Sequence, residues 1–278
     1  MPKERFHLCL ADEFLKKHGK SLSYAFVSDR LSFLIGAVSP DIFYYDFPSF
    51  SLSPLGDALH NVMDLEGLSK IGDWIESRVG YERAPERNAT ASAWAFGLTC
   101  HFLLDEVWHP AINELSVSTD YCAAKRLSFI ECHRLIESEL EALRLVESSR
   151  ATEECAGLLR DLGKKERVFE IAWLYRELLG FVGLGQVPTA KRIAGCFLSQ
   201  NFFLRLFANP TLGRLRNRML DLPLMRYAGS LIVPSKPVLP SLFASALPPD
   251  LNPLSDVFME QAITFLNVRL PVLAKRLL

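Results

Sequence analysis

A chain of 278 residues, 49% hydrophobic and 23% charged, has ordinary globular composition and enough length for a large core in one or two domains. Its 31 basic and 32 acidic residues leave a net charge of −1, which excludes a basic surface that would steer nucleic acid, so no nucleic-acid partner is expected. No run reaches the ~20 apolar residues of a membrane span, and Lys3, Glu4, Arg5, Asp12 and Glu13 interrupt the N-terminus, which argues against a signal peptide and for a cytoplasmic protein.

Residues 4–18 read as a helix on which His7 shares an inward face with Leu10, Ala11 and Phe14. His18, among lysines and before a glycine, reads as a solvated helix end. A second helix runs from Ser21 or Ser23 to Val38 and breaks at Ser39-Pro40. Asp41 follows, and alone it would be a turn or cap residue. The aromatic stretch 42–50 either tucks into the core or lines a site for apolar ligands. Ser53-Pro54 opens a helix to about Arg78, with His60, Met63, Gly67, Ile71 and Trp74 on one stripe. Residues 80–92 read as a polar connector.

The next helix, Trp94 to Pro110, carries Gly97, His101, Asp105 and His109 on one line at spacing four, and nearly all its other residues are apolar. Imidazoles and a carboxylate are thus carried into a core, where unpaired polar groups are costly. At a rise of about 1.5 Å per residue, His101 and His109 stand roughly 12 Å apart along the axis. One ion with bonds of about 2 Å cannot reach both. Asp105 lies midway, an arrangement that suits more than one metal.

After Pro110 a short loop leads to a long helix, about 121–148, with His133 and Glu137 at spacing four inside an arc of Ile130, Ile136, Leu140 and Leu143. Further helices are predicted over 167–179 and 190–208. A loop at 180–188 has a Gly-x-Gly but no strand before it. Residues 212–220 form a segment whose basic face reads as solvated. The proline-rich stretch 233–253 reads as an extended arm, and 254–278 as a last helix. No strand-period alternation and no internal repeat occurs. The class is all-α, a multi-helix bundle around a buried multinuclear metal site. It forms one domain over 1–278, with a metal-binding core of about 1–148 and an accessory part of about 150–278. The six cysteines show no CxxC spacing and are expected as buried free thiols.

Of six histidines, five (His7, His60, His101, His109 and His133) lie on apolar faces of predicted helices, with acids in register. Imidazole and carboxylate without thiolate fit zinc, and also manganese or iron. A di-iron bundle would want Glu-x-x-His pairs, whereas the candidate ligands here pair as His-x3-Glu and His-x3-Asp.

The order His7, Gly36-Ala37-Val38-Ser39-Pro40-Asp41, Leu59-His60, Gly97-x3-His101-x3-Asp105-x3-His109-Pro110 and His133-x3-Glu137-x-Glu139 resembles the zinc-dependent phospholipase C family, in its intracellular prokaryotic branch. The resemblance covers roughly residues 1–145. It implies a helical phosphodiester hydrolase with two or three zinc ions. Asp41, His60, His101 and Asp105 would hold one ion, and His109, His133 and Glu137 a second. Asp105 would bridge toward a third, which His7 also binds. Secreted members supply their mature N-terminal residue to the third ion. Here Met1 or Pro2 is only a few residues from His7, and the step from Asp105 to His109 is shorter than in secreted members. The expected chemistry is cleavage of a phospholipid or related phosphodiester by metal-activated water, with Asp41 as ligand and catalytic base beside apolar walls from Phe43 to Phe50. A substrate of that kind implies transient contact with a membrane surface. Two other readings compete. Secreted zinc nucleases share the ligand order, and a non-catalytic metal-stabilised or lipid-binding helical protein would need ligands too. Closed structural zinc sites are commonly four-ligand and often use cysteine, whereas the second site here offers three ligands and leaves a position open.

Overall fold

The computed structural model describes residues 4–18, 29–62, 65–81, 85–146 and 157–235. Every regular element among them is helical. The N-terminal Met1-Pro2, the predicted helix start at Ser21 or Ser23, Met63, most of the proline-rich arm and the last helix fall outside the described residues. No described helix is long and apolar enough to cross a membrane.

The spine is α5, Pro85–Ser118. It is longer than the sequence pattern suggests at both ends. Residues 85–92 are helical rather than a connector, and the chain does not stop at Pro110. Proline removes one backbone donor and crowds the preceding turn. Here Pro110 sits on the exposed side, while Ile112 and Leu115 beyond it are buried on the core side. Their burial holds the helix together across the lost bond.

Against α5 packs α2, Arg30–Gly36. The two backbones touch. A Cβ on Gly97 would lie 1.9 Å from the Phe33 carbonyl oxygen, and one on Gly36 would lie 2.1 Å from that of Trp94. Only glycine permits this crossing. α1, Glu4–His18, lies along both, pinned by the edge-on pair of Phe6 and Trp108 at 5.0 Å.

The chain after α2 makes a buried bend and then a 3-10 turn, Pro40–Tyr45. Side chains from other elements satisfy its carbonyls. His101 Nδ1 faces Ala37 O at 2.9 Å, Gln200 Nε2 donates to Val38 O at 2.9 Å, and Tyr175 OH to Ser39 O at 3.3 Å. Trp94 Nε1 donates to Ser39 Oγ at 2.9 Å. Buried backbone acceptors left unmade would be costly, so these bonds fix the bend that presents Asp41.

The predicted helix 53–78 is two helices, α3 (Ser53–Val62) and α4 (Leu65–Tyr81). The predicted helix 121–148 is likewise two, a short α6 (Asp120–Ala124) and α7 (Phe129–Val146). Arg126 takes a positive φ of 53° at that break. Cys122 and Cys132 across it form a disulfide with Cα atoms 5.7 Å apart, which corrects the all-thiol expectation. Cys100 and Cys196 are free thiols.

α8 (Lys165–Phe181) and α9 (Ala190–Phe207) pack as a pair, with α9 against the 3-10 turn. α10 (Pro210–Asp221) and α11 (Arg226–Leu231) close the bundle, with α11 on α7. The basic face of α10 is not wholly solvated. Arg216 is 1% exposed and ion-pairs with Glu139 of α7, with a further bond to Ser138 Oγ at 2.9 Å. A buried arginine needs such a partner.

Candidate metal centre

The eight candidate ligands predicted from sequence converge from five elements: His7 on α1, Asp41 on the 3-10 turn, His60 on α3, His101, Asp105 and His109 on α5, and His133 and Glu137 on α7. Their ligating atoms fall into three groups, each within 4.8 Å: Asp41, His60 and His101; His7, His101 and Asp105; His109, His133 and Glu137.

Asp105 joins these groups by pointing its two oxygens different ways. Oδ2 faces His101 Nε2 at 3.3 Å and His60 Nε2 at 3.8 Å. Oδ1 faces His7 Nε2 at 3.2 Å and His109 Nε2 at 3.4 Å. Asp41 lies across the first group, 3.5 Å from His60 Nε2 and 3.8 Å from His101 Nε2. In the third, Glu137 Oε1 is 3.0 Å from His133 Nε2 and 3.8 Å from His109 Nε2. Donors around one tetrahedral zinc, with bonds of about 2.0–2.1 Å, stand roughly 3.3 Å apart. The observed spacings match, and the donor set is nitrogen and oxygen.

The far side of the rings supports the same reading. His101 Nδ1 bonds Ala37 O, and His60 Nδ1 bonds Gly56 O at 2.8 Å. His133 Nδ1 faces Asn113 Oδ1 at 3.0 Å. A carbonyl partner requires the proton on Nδ1, which leaves the Nε2 lone pair for a metal. His101 Nε2 is buried and makes no hydrogen bond among the described residues. That is an orphan nitrogen facing two carboxylates, and a metal ion would satisfy it.

Without metal the charges are strongly coupled. Burial and the charge of His101 pull His7 down to about 4; the two rings stack at 4.0 Å. Burial also disfavours protonated His101, but the Asp105 and Asp41 carboxylates outweigh it and raise the group to about 9. Burial alone would raise Asp105, yet His101 and His109 hold it well below the carboxylate range. Glu4 is a buried neighbour that sequence reasoning missed. Burial and the charge of Asp41 push it up to about 7, and it accepts a 2.7 Å bond from Tyr45 OH.

A cleft of about 220 Å³ opens over the groups, lined by His7, Asp41, Tyr44, His60, Asp105, His109, Phe129, Ile130, His133 and Arg134. Its apolar walls differ from the expected ones. Of residues 43–50 only Tyr44 lines it; Phe43 and Tyr45 are buried, and Phe47 and Phe50 are exposed. Phe129 and Ile130 supply the walls instead, so Ile130 is exposed rather than on the buried arc. Asn113 continues the stripe of His101, Asp105 and His109 at spacing four, a signal hidden by the expected stop at Pro110.

The zinc dependent phospholipase C family model matches residues 7–174, more than half of the chain. No curated protein and no solved structure matches it.

Proposed function

The chain belongs to the zinc-dependent phospholipase C family, and from that premise we propose that it hydrolyses a phospholipid or a related phosphodiester in the cleft over its histidine–carboxylate groups. The observation that carries this reading is Asp105, shared by both ends of the ligand set beside an open cleft with one apolar wall. A closed structural site would leave no such approach. We assign Asp41, His60, His101 and Asp105 to one zinc, and His109, His133 and Glu137 to a second. Asp105 Oδ1 and His7 offer part of a third site.

Zinc held there would neutralise charge on phosphate oxygens and lower the pKa of a bound water toward about 7. The chain's own residues do the rest. Asp41, 5% exposed and at the cleft wall, turns Oδ1 toward His60 and Oδ2 toward His101, and as ligand and base it would accept a proton from the attacking water. The Nδ1 bonds of His60 and His101 hold both rings in one tautomer, which preorganises the site. Phe129 and Ile130 give an apolar portion of the substrate a place to lie against.

The test is a substrate panel on zinc-loaded protein: phosphatidylcholine vesicles, bis(p-nitrophenyl) phosphate and single-stranded DNA. Cleavage of the lipid and the small diester, abolished by Asp41→Asn, is expected. Preferential cleavage of DNA would replace the lipid reading with a nuclease, and inertness toward all three would overturn a catalytic role.

A further inference from the structure

Arg134 follows His133 on α7, and its guanidinium lines the same cleft as the metal-ligand candidates. It is partly buried, and its Nη1 is fully buried with no hydrogen-bond partner. Among the described residues no carboxylate pairs with it. This sets it apart from Arg30, Arg78, Arg192 and Arg216, each in an ion pair with Asp or Glu. What holds Arg134 is a ring: its Cζ lies 4.4 Å over the centroid of Tyr227 on α11. A cation–π contact positions a guanidinium without using up its donors. An unpaired buried N–H is costly, so a group that accepts from it is strongly selected.

We propose that Arg134 is a phosphate-binding residue of the cleft, donating to a non-bridging phosphate oxygen of the substrate, and that Tyr227 is the positioning residue that keeps it there. The proposal rests on the phosphodiester reading and deepens it. The ligand candidates line the cleft from several elements, and Arg134, beside His133 on α7, adds a planar fork of donors to the same lining. Tyr227 lies beyond residue 174, so the part of the chain past the family match takes a share in substrate recognition.

The test uses full-length zinc-loaded protein, with bis(p-nitrophenyl) phosphate as substrate and inorganic phosphate as a ligand followed by calorimetry. Arg134→Gln is expected to weaken phosphate binding and raise KM by roughly tenfold or more, the scale of one charge-assisted bond. Zinc content and Tm should be unchanged. Arg134→Lys should recover part of the loss through its charge. Tyr227→Ala should reproduce part of it, and Tyr227→Phe, which keeps the ring, should not. Wild-type phosphate affinity and KM in Arg134→Gln would overturn the proposal. Should Arg134→Gln fail to fold, wild-type phosphate affinity in a folded Tyr227→Ala would do so. A wild-type protein that cleaves no diester, yet binds phosphate in an Arg134-dependent way, would sink the functional reading and leave this assignment standing.

Discussion

Asp105 carries more of the account than any other residue. Its carboxylate is the only group with one oxygen toward His101 and His60 and the other toward His7 and His109 among the described ligand candidates. Asp105→Asn replaces one of those oxygens with an amide that donates and cannot ligate. Both ends of the cluster should then lose zinc together, with activity falling at least a hundredfold, as measured by metal analysis and diester hydrolysis on one preparation. Full zinc occupancy in the variant would contradict the bridging role. This residue was legible in the sequence because a spacing of four on an apolar helix leaves little else for a carboxylate to do. Asn113 is the next member of the same line. The pattern hides it because a proline reads as a helix end, whereas burial of Ile112 and Leu115 outweighs the single lost bond.

Between elements, the site depends on how closely α2 approaches α5. Gly36 and Gly97 set that distance, and it brings Ala37 O within 2.9 Å of His101 Nδ1. In Gly97→Ala the new methyl group meets backbone, which cannot swing aside. The helices must part, costing about 1–3 kcal/mol or more. A lower Tm with weakened zinc binding is expected, and unchanged values would show that the crossing has slack. Gly97 stood on the functional stripe in the sequence, but its reason, a backbone contact with another helix, was not visible there.

The loop after the 3-10 turn is tied to α9 by a two-pronged pair, Arg192 Nη2 to Asp46 Oδ2 at 2.7 Å and Nε to Oδ1 at 3.1 Å. Burial alone would raise Asp46, but Arg192 and hydroxyl donors from Ser49 and Ser51 lower it to about 2. A carboxylate depressed in the folded state stabilises fully above its unfolded value, near 3.9, and loses that contribution as pH falls through its folded value. Melting profiles of metal-free protein should show wild type losing more stability than Arg192→Met between about pH 4 and 2. Parallel profiles would show that the pair adds nothing.

Across the whole molecule, the family match ends at residue 174, but support for the site does not. Tyr175 and Gln200 bond the bend that presents Asp41, and Arg216 pairs with Glu139 on the helix of His133 and Glu137. Sequence reasoning saw apolar helices here without a role. Periodicity shows which face of a helix is buried, not which distant carbonyl a buried glutamine or tyrosine reaches, and the basic face of α10 was read as solvated for the same reason. The convergence of the candidate ligands, by contrast, is legible in the sequence because each candidate sits on a strongly apolar helix face or follows a proline break. On the proposed reading these elements together build a site for several ions, and counting the ions is the most direct test. Metal-free protein titrated with zinc, with bound metal and diester hydrolysis measured at each point, should take up at least two equivalents and become active only as the second binds. Saturation at a single equivalent with full activity would contradict it.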